Sequence, residues 1–408
     1  MKHVLTLLCL SSLALVLSAA AAHQDIVIGM SAPFTGPSRG LGIELYRGAA
    51  AYFEHINRAG GIAGARVVIK SYDDGYNPAP AIHNTIRLIE QDRVLLLFGY
   101  VGASTVTRIL PLLKTDRQDP VLLFFPFSGA QPHREAPYAD VVFNLRTSYR
   151  HETAGLVAHL VSIGRRKIGL FYQADAYGRS GWDGVRRALS ANGLRIAAEA
   201  TYRRGTDDAR QLTEQVRILR SAGVDAVISI GAYPACAAFI TNARDAGWRV
   251  PIANVSLVGS ENLAALLADA ARSSGRDYSE NLINSQVVPS YEDTSLPAVR
   301  EYRDMMARYR PGLPSVVGPD YVPVEHSFVS FEGFLSAKLL VEVLGHIDGP
   351  PSRRGLREAA ERVRNFNLGT GGVVSFGPQV HEGLSDVYYT TLRQGRFVPL
   401  TSWERWKQ

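Results

Sequence analysis

Residues 94–105 read Val-Leu-Leu-Leu-Phe-Gly-Tyr-Val-Gly-Ala-Ser-Thr. Five apolar residues without a polar interruption suit a strand buried on both faces. The glycines break that strand, and residues 105–114 suit a helix. The same alternation runs outward from this point. Upstream, residues 26–30 and 66–72 read as strands and residues 44–59 and 79–91 as helices, the first stopped by Gly60-Gly61. Downstream, residues 121–125 form a further strand. Uninterrupted apolar strands alternating with helices argue for a parallel sheet covered on both faces. The pattern then restarts, with strands at 167–172, 195–201, 226–230 and 252–255 separated by helices at 181–191, 208–222 and 235–246. The expected fold class is α/β, with two doubly wound lobes. The last third is less regular: a strand at 281–288, helices at 297–308, 327–345 and 353–364, and strands at 373–376 and 387–392 that should complete the two sheets.

Composition agrees with a folded chain of this size. The sequence has 408 residues, of which 46 % are apolar and 20 % charged, which excludes a disordered chain, a collagen-like repeat and a polytopic membrane protein. Lys and Arg number 44 against 38 Asp and Glu, a formal charge of +6. The basic residues are mostly Arg and are scattered without long runs, so a nucleic-acid partner is not expected. Cys9 and Cys236 cannot make a disulfide scaffold. Met1-Lys2-His3, an apolar stretch over 4–17 and small residues over 18–22 follow the order of an export signal. The apolar stretch is too short to span a bilayer. Residues 1–22 are therefore expected to be a cleaved signal peptide, delivering a periplasmic protein.

Enzyme motifs are missing. Gly40-Leu41-Gly42 has Leu45 where a dinucleotide loop needs its third glycine, and no phosphate-loop motif occurs. There is no G-x-S-x-G elbow, and Gly155 stands where His151-Glu152 would need a second histidine to hold zinc. Cys236, in an apolar helix, reads as a buried structural thiol. No catalytic residue, cofactor or metal is expected, and the chain reads as a binding protein rather than an enzyme.

In doubly wound lobes a ligand sits where strands end and helices begin. In the first lobe, Ser104 and Thr105 stand at a helix start where hydroxyls and N–H groups suit a carboxylate, or would serve plain capping. The next strand delivers Phe127 and Ser128 to the same edge. In the second lobe, strands lead to Tyr177 and to Tyr233, an aromatic wall with hydroxyl tips or ordinary core.

Ile28-Gly29-Met30-Ser31-Ala32-Pro33-Phe34-Thr35-Gly36, then Asn57-Arg58-Ala59-Gly60-Gly61-Ile62, then Tyr72-Asp73-Asp74 and Asp175-Ala176-Tyr177-Gly178 resemble the periplasmic solute-binding proteins of branched-chain amino acid and amide ABC importers. The likeness covers nearly the whole chain after the signal. It implies two Rossmann-like lobes, a ligand cleft between them and three crossovers, near 146–148, 288–290 and 376–385. The lobes would comprise residues 23–147 with 290–376, and 148–289 with 385–408.

The family's ligand contacts carry over imperfectly. The serine after the third strand aligns with Ala103, beside Ser104. The backbone contact after the fourth falls at Phe127, and the threonine two places on falls at Gly129, with Ser128 one step earlier. The second-lobe tyrosine matches Tyr177, the next aromatic falls at Ala232 beside Tyr233, and the first-lobe aromatic falls at Leu41. The acid that pairs with an amino acid's ammonium aligns with Ser256. Glu332 could supply a replacement charge, although it reads first as a solvated helix position. The resemblance implies a monomer that captures a small ligand, closes its lobes and docks on an inner-membrane permease; the alternative is a sensor subunit that signals to a membrane receptor. A third reading is a secreted enzyme with unrecognised residues. With Ser256 in the acid's place, a neutral amide or an organic acid, aromatic ones included, should bind better than leucine, isoleucine or valine.

Overall fold

A computed structural model describes residues 24–114, 120–207, 212–349 and 351–407. The expected signal peptide over 1–22 lies outside the described residues. The first lobe opens with β1 (Ile26–Ala32), α1 (Arg39–Arg58), β2 (Val67–Asp73), α2 (Pro78–Glu90), β3 (Leu96–Phe98), α3 (Ala103–Leu113), β4 (Leu123–Phe124) and β5 (Val142–Phe143). These strands form one parallel sheet in the order β2-β1-β3-β4-β5, with Ile28 beside Ile69 on one side and Leu96 on the other.

The second lobe repeats the plan. It uses α4 (Tyr149–Ser162), β6 (Ile168–Gln173), α5 (Ala176–Ala191), β7 (Ala198–Tyr202), α6 (Thr213–Ser221), β8 (Ala226–Ile230), α7 (Tyr233–Asp245), β9 (Ile252–Asn254), α8 (Ser260–Ser274) and β10 (Leu282–Gln286). The order β10-β9-β8-β6-β7 is the first lobe's order again, extended by β13 (Tyr388–Arg393) and β14 (Arg396–Pro399), which add antiparallel. In both sheets the order reverses beside the first strand, so each lobe has its crevice at the C-terminal ends of neighbouring strands.

The remaining helices α9 (Pro297–Tyr309) and α10 (Phe328–Gly345) return to the first lobe and pack on α1, and α11 (Arg353–Glu361) packs on α10. Contact between α1 and α10 is backbone to backbone: a Cβ on Gly48 would lie 1.7 Å from the Ser330 carbonyl oxygen. Only glycine permits that approach. Because α10 is apolar on nearly every side and lies inside the lobe, even its polar residues are buried.

The chain passes between the sheets after β5, after β10 and before β13. The first and third passages are stitched together: Asn144 N donates to His381 O at 2.8 Å, Gly383 N to Asn144 O at 2.8 Å and Leu384 N to Leu145 O at 2.7 Å.

Several boundaries depart from the sequence reading. Residues 373–376 do not extend either large sheet; β12 (Val373–Val374) pairs only with β11 (Phe366–Asn367). The apolar spacing does not show helices α4 and α8. In α4 the buried face includes Glu152 and Thr153, which breaks the apolar spacing, and α8 is dominated by alanine. Helix α5 starts at Ala176 rather than 181, because Asp175 accepts from Tyr177 N at 3.0 Å and caps the helix there. In α3 the capping position falls on Gly102, so Ser104 and Thr105 lie within the first turn rather than at the cap.

Candidate functional site

The strand ends of both lobes converge on one cleft. From the first lobe come Tyr76, after β2; Ser104, in the first turn of α3; and Phe127, after β4, whose N donates to Tyr100 O at 2.7 Å. From the second come Tyr149 at the start of α4, Tyr177 after β6, Tyr233 after β8 and Ser256 after β9. The lobes touch across it. Gly40 N donates to the Tyr233 hydroxyl at 3.1 Å, Arg204 Nη1 to Tyr76 O at 3.2 Å, and Gln131 N to Ser180 Oγ at 3.3 Å. A cavity of about 500 Å³ opens at one mouth, between Ser104 and Arg108 of the first lobe and Asp175 and Arg204 of the second.

The centre of the cleft is a charge network carried by the first passage between the lobes. Arg146 lays its guanidinium 4.2 Å over the Phe127 ring. Its Nε is 2.9 Å from Glu332 Oε1, and its Nη2 donates to Glu332 Oε2 at 3.1 Å and to Ser256 Oγ at 2.9 Å. Behind Ser256 stands Glu152, which accepts from Ser256 N at 2.9 Å, Ser256 Oγ at 3.0 Å and Ser285 Oγ at 2.8 Å. Burial pushes the Glu332 carboxyl up while Arg146 pulls it back; burial works against the Arg146 charge, but Glu332, Tyr149 and Glu152 more than offset it and hold the guanidinium charged. The solvated-helix reading of Glu332 is therefore corrected: the residue is 4 % exposed, because its helix is buried on every side.

Around this network the acids are already engaged. Glu332 faces Arg146, Glu152 takes three donors, and Asp175 takes Arg204 Nε at 3.0 Å, Gln173 Nε2 at 2.6 Å and Tyr177 N at 3.0 Å. The donors are not. Ser104 Oγ and Arg146 Nη1 and Nε are buried without a hydrogen-bond partner, and the Tyr76 and Tyr149 hydroxyls have only poorly aligned approaches to Gln173 and Ser128. Burial pushes the Tyr76, Tyr149 and Tyr177 phenols up, so each keeps its proton. A buried donor without a partner costs about 1–3 kcal/mol, which an acceptor placed in the cleft would recover.

The sequence-derived residues differ in what they have left to offer. The Tyr177 ring packs tilted against Tyr149, 5.2 Å between centroids, and its hydroxyl donates weakly to Gly231 O at 3.4 Å. Thr105 turns its hydroxyl back on the Val101 and Gly102 carbonyls, and Ser128 Oγ is held 3.2 Å from the buried His133 Nε2. Ser104 alone of these hydroxyls is free. Tyr233 lies to one side, against Gly40 and near Leu41 and Gly259. At Gly129, where the resemblance asks for threonine, a Cβ would lie 2.7 Å from Tyr149 Cδ1, so the Tyr149 ring excludes a side chain there. Sequence reasoning missed Tyr76, Arg146, Tyr149 and Glu152. The signal for two of them was the crossover expected at 146–148, since residues in such a passage face both lobes. Away from the cleft, Cys236 is buried beside Ser229, and burial pushes its thiol up to about 12. No cluster of metal-ligating side chains and no helix long and apolar enough to cross a membrane occurs among the described residues.

Comparison with known proteins agrees with this architecture. A family model described as periplasmic binding protein matches residues 25–396. A solved structure, a possible leucine/isoleucine/valine-binding protein from Rhodopirellula baltica, is 30 % identical, covers 96 % of this chain and 100 % of its own, and superposes with a TM-score of 0.84. The Leu/Ile/Val-binding protein homolog 3 of Brucella melitensis is 30 % identical over 220 residues, 53 % of this chain and 57 % of the relative. An amino acid binding protein of Pseudomonas aeruginosa is 26 % identical over 229 residues, 55 % of this chain and 59 % of the relative. The chain thus spans under two thirds of the length of these two curated relatives.

Proposed function

The chain belongs to the periplasmic binding protein family, whose members bind small molecules outside the cytoplasm and work with ABC transporter permeases; within it we propose that this protein is the substrate-binding component of an importer, capturing a small ligand rich in acceptors and lacking an ammonium group. A carboxylate or an amide fits; a free branched-chain amino acid does not. The observation that carries this reading is the imbalance in the cleft. Four buried donor groups, on Tyr76, Ser104, Tyr149 and Arg146, have no well-formed hydrogen bond, while Glu152, Asp175 and Glu332 are all engaged. An ammonium entering this site would have to displace a partner from one of those acids or stay buried and unpaired.

Export by residues 1–22 and lobes comprising 23–147 with 290–376 and 148–289 with 385–408 complete the proposal. The ligand bridges both lobes, so only the closed arrangement makes every contact. Mass spectrometry of whatever co-purifies, followed by a thermal-shift screen across amino acids, amides and aromatic carboxylates, tests it. Tighter binding of an amide or an organic acid is expected. Micromolar binding of leucine, isoleucine or valine, with nothing tighter, would overturn the ligand class.

A further inference from the structure

A buried guanidinium usually has its donors consumed by the groups that keep it there. Arg146 is about 1 % exposed, yet only Nη2 donates hydrogen bonds, to Glu332 and Ser256; Nε stands 2.9 Å from Glu332 Oε1 as an ion pair without a hydrogen bond, and Nη1 holds nothing. Its plane is fixed by the Phe127 ring beneath it, so the direction in which Nη1 points is set before any ligand arrives. Tyr149, three residues further along the same passage, carries a second buried donor, a hydroxyl that lacks a well-formed hydrogen bond. Two donors, one of them cationic, therefore await an acceptor at the junction of the lobes.

We propose that Arg146 is the counter-charge of the ligand: Nη1 and the Tyr149 hydroxyl take the carboxylate of a monocarboxylic acid that carries no ammonium. The inference rests on the cleft being the ligand site and narrows its occupant from acceptor-bearing molecules in general to carboxylates. A neutral amide would satisfy the same donors, but a charge-assisted hydrogen bond is about twice as strong as a neutral one. An ammonium would meet the guanidinium as a like charge. Glu332 competes with the ligand for Arg146 and so tempers the affinity, and Glu152 behind Ser256 keeps the serine turned as an acceptor toward Nη2.

Matched sets test this on the whole protein by calorimetry: leucine, isocaproate and isocaproamide, and phenylalanine, hydrocinnamate and hydrocinnamamide. The acid of at least one set should bind tightest. Arg146→Met should weaken that acid by about tenfold to a hundredfold and bring the amide level with it or ahead of it. Arg146→Lys, which keeps the charge, should retain the preference for acid over amide at reduced affinity. Glu332→Gln should raise the acid's affinity several-fold, and these last two variants decide the matter if Arg146→Met does not fold by circular dichroism. If the amide binds tightest to the unmodified protein, the Arg146 assignment is overturned and the broader reading of the cleft stands. If the amino acid binds tightest, both fall. An acid whose affinity is unchanged in Arg146→Met, or lowered in Glu332→Gln, also overturns the assignment, as does the absence of binding by either acid.

Discussion

On the second lobe's side of the cleft the polar groups hold one another. Ser256 is bonded to Glu152 through both its N and Oγ, Tyr202 donates to Gln173 Oε1 at 3.2 Å, and Asp175 is bound three ways. On the first lobe's side, Ser104 is buried with nothing to bond, and the Tyr76 hydroxyl has only a poorly aligned approach to Gln173. Apart from the Tyr149 hydroxyl at its edge, the second-lobe face is finished as it stands, and the first-lobe face is complete only with a guest. The difference assigns roles: the second-lobe face supplies shape and a fixed electrostatic background, and the first-lobe face, with Arg146 at the junction, supplies the hydrogen bonds that a ligand must answer.

Removing a group from the finished face should therefore damage the fold, whereas removing one from the unfinished face should damage only binding. Glu152→Ala strands three donors in the interior and should cost about 3–5 kcal/mol in urea denaturation, the range for breaking a buried charged network. Ser104→Ala should leave stability within about 0.5 kcal/mol, since its hydroxyl has no partner to lose. Equal losses in the two variants would erase the contrast.

The acid beneath the first-lobe face offers a second lever. Burial pushes Asp74 up to about 7, with Ser31 and Tyr76 N drawing it down and Asp73 adding to the rise. A carboxyl whose folded pKa lies above its ordinary value favours the folded state fully below the ordinary value and loses that contribution as pH rises through the folded one. The rise from 3.8 to about 7 corresponds to roughly 4 kcal/mol at most. The melting temperature should fall between about pH 4 and pH 7 and level off above, and Asp74→Asn should flatten part of that slope. Glu261 at the start of α8, pushed up by burial to about 7, works in the same direction, so Glu261→Gln should flatten a further part. A slope untouched by Asp74→Asn would mean that the first-lobe side holds its acid as the ordinary carboxylate.

Smaller effects concern binding. Ser104→Ala should weaken the co-purified ligand about tenfold by calorimetry, since a hydrogen bond to a charged group is worth about 1.5–3 kcal/mol. Tyr177→Ala should cost at least as much by removing the ring packed on Tyr149. Tyr233→Phe deletes the bond from Gly40 N, a contact made only with the lobes together. It should cost about 1 kcal/mol, roughly fivefold in affinity, and small-angle scattering at subsaturating ligand should show a larger mean radius. Unchanged affinity in Ser104→Ala together with a loss in Tyr233→Phe would reverse the roles of the two faces.

Much of the fold was legible because repetition survives local error. The spacing starts helix α5 five residues late and does not show α4, yet the alternation of apolar runs with helices still yields two doubly wound units. The site was legible only along the strands. Tyr177 and Ser104 follow apolar runs, and a strand end in such a sheet is a crevice wherever the strand occurs. Arg146 and Glu152 follow no such rule, and Glu332 was misread for a related reason: an acid on a helix is solvated unless the helix is buried all round, and the spacing within residues 328–345 does not say what covers them.

The sequence by itself determined the class of fold, the order of its elements and the absence of an acid at position 256, because these depend on the types and spacing of neighbouring residues. Only the tertiary structure decided which polar groups would be satisfied. Ser256 reaches Glu152 from 104 positions away and Arg146 from 110, and Arg146 meets Glu332 across 186. A hydrogen bond depends on position and direction in space to a fraction of an ångström. Those positions are set by the packing of two sheets and by the passages between them, so the same serine, arginine and glutamates could equally have been solvated in another arrangement of the same elements.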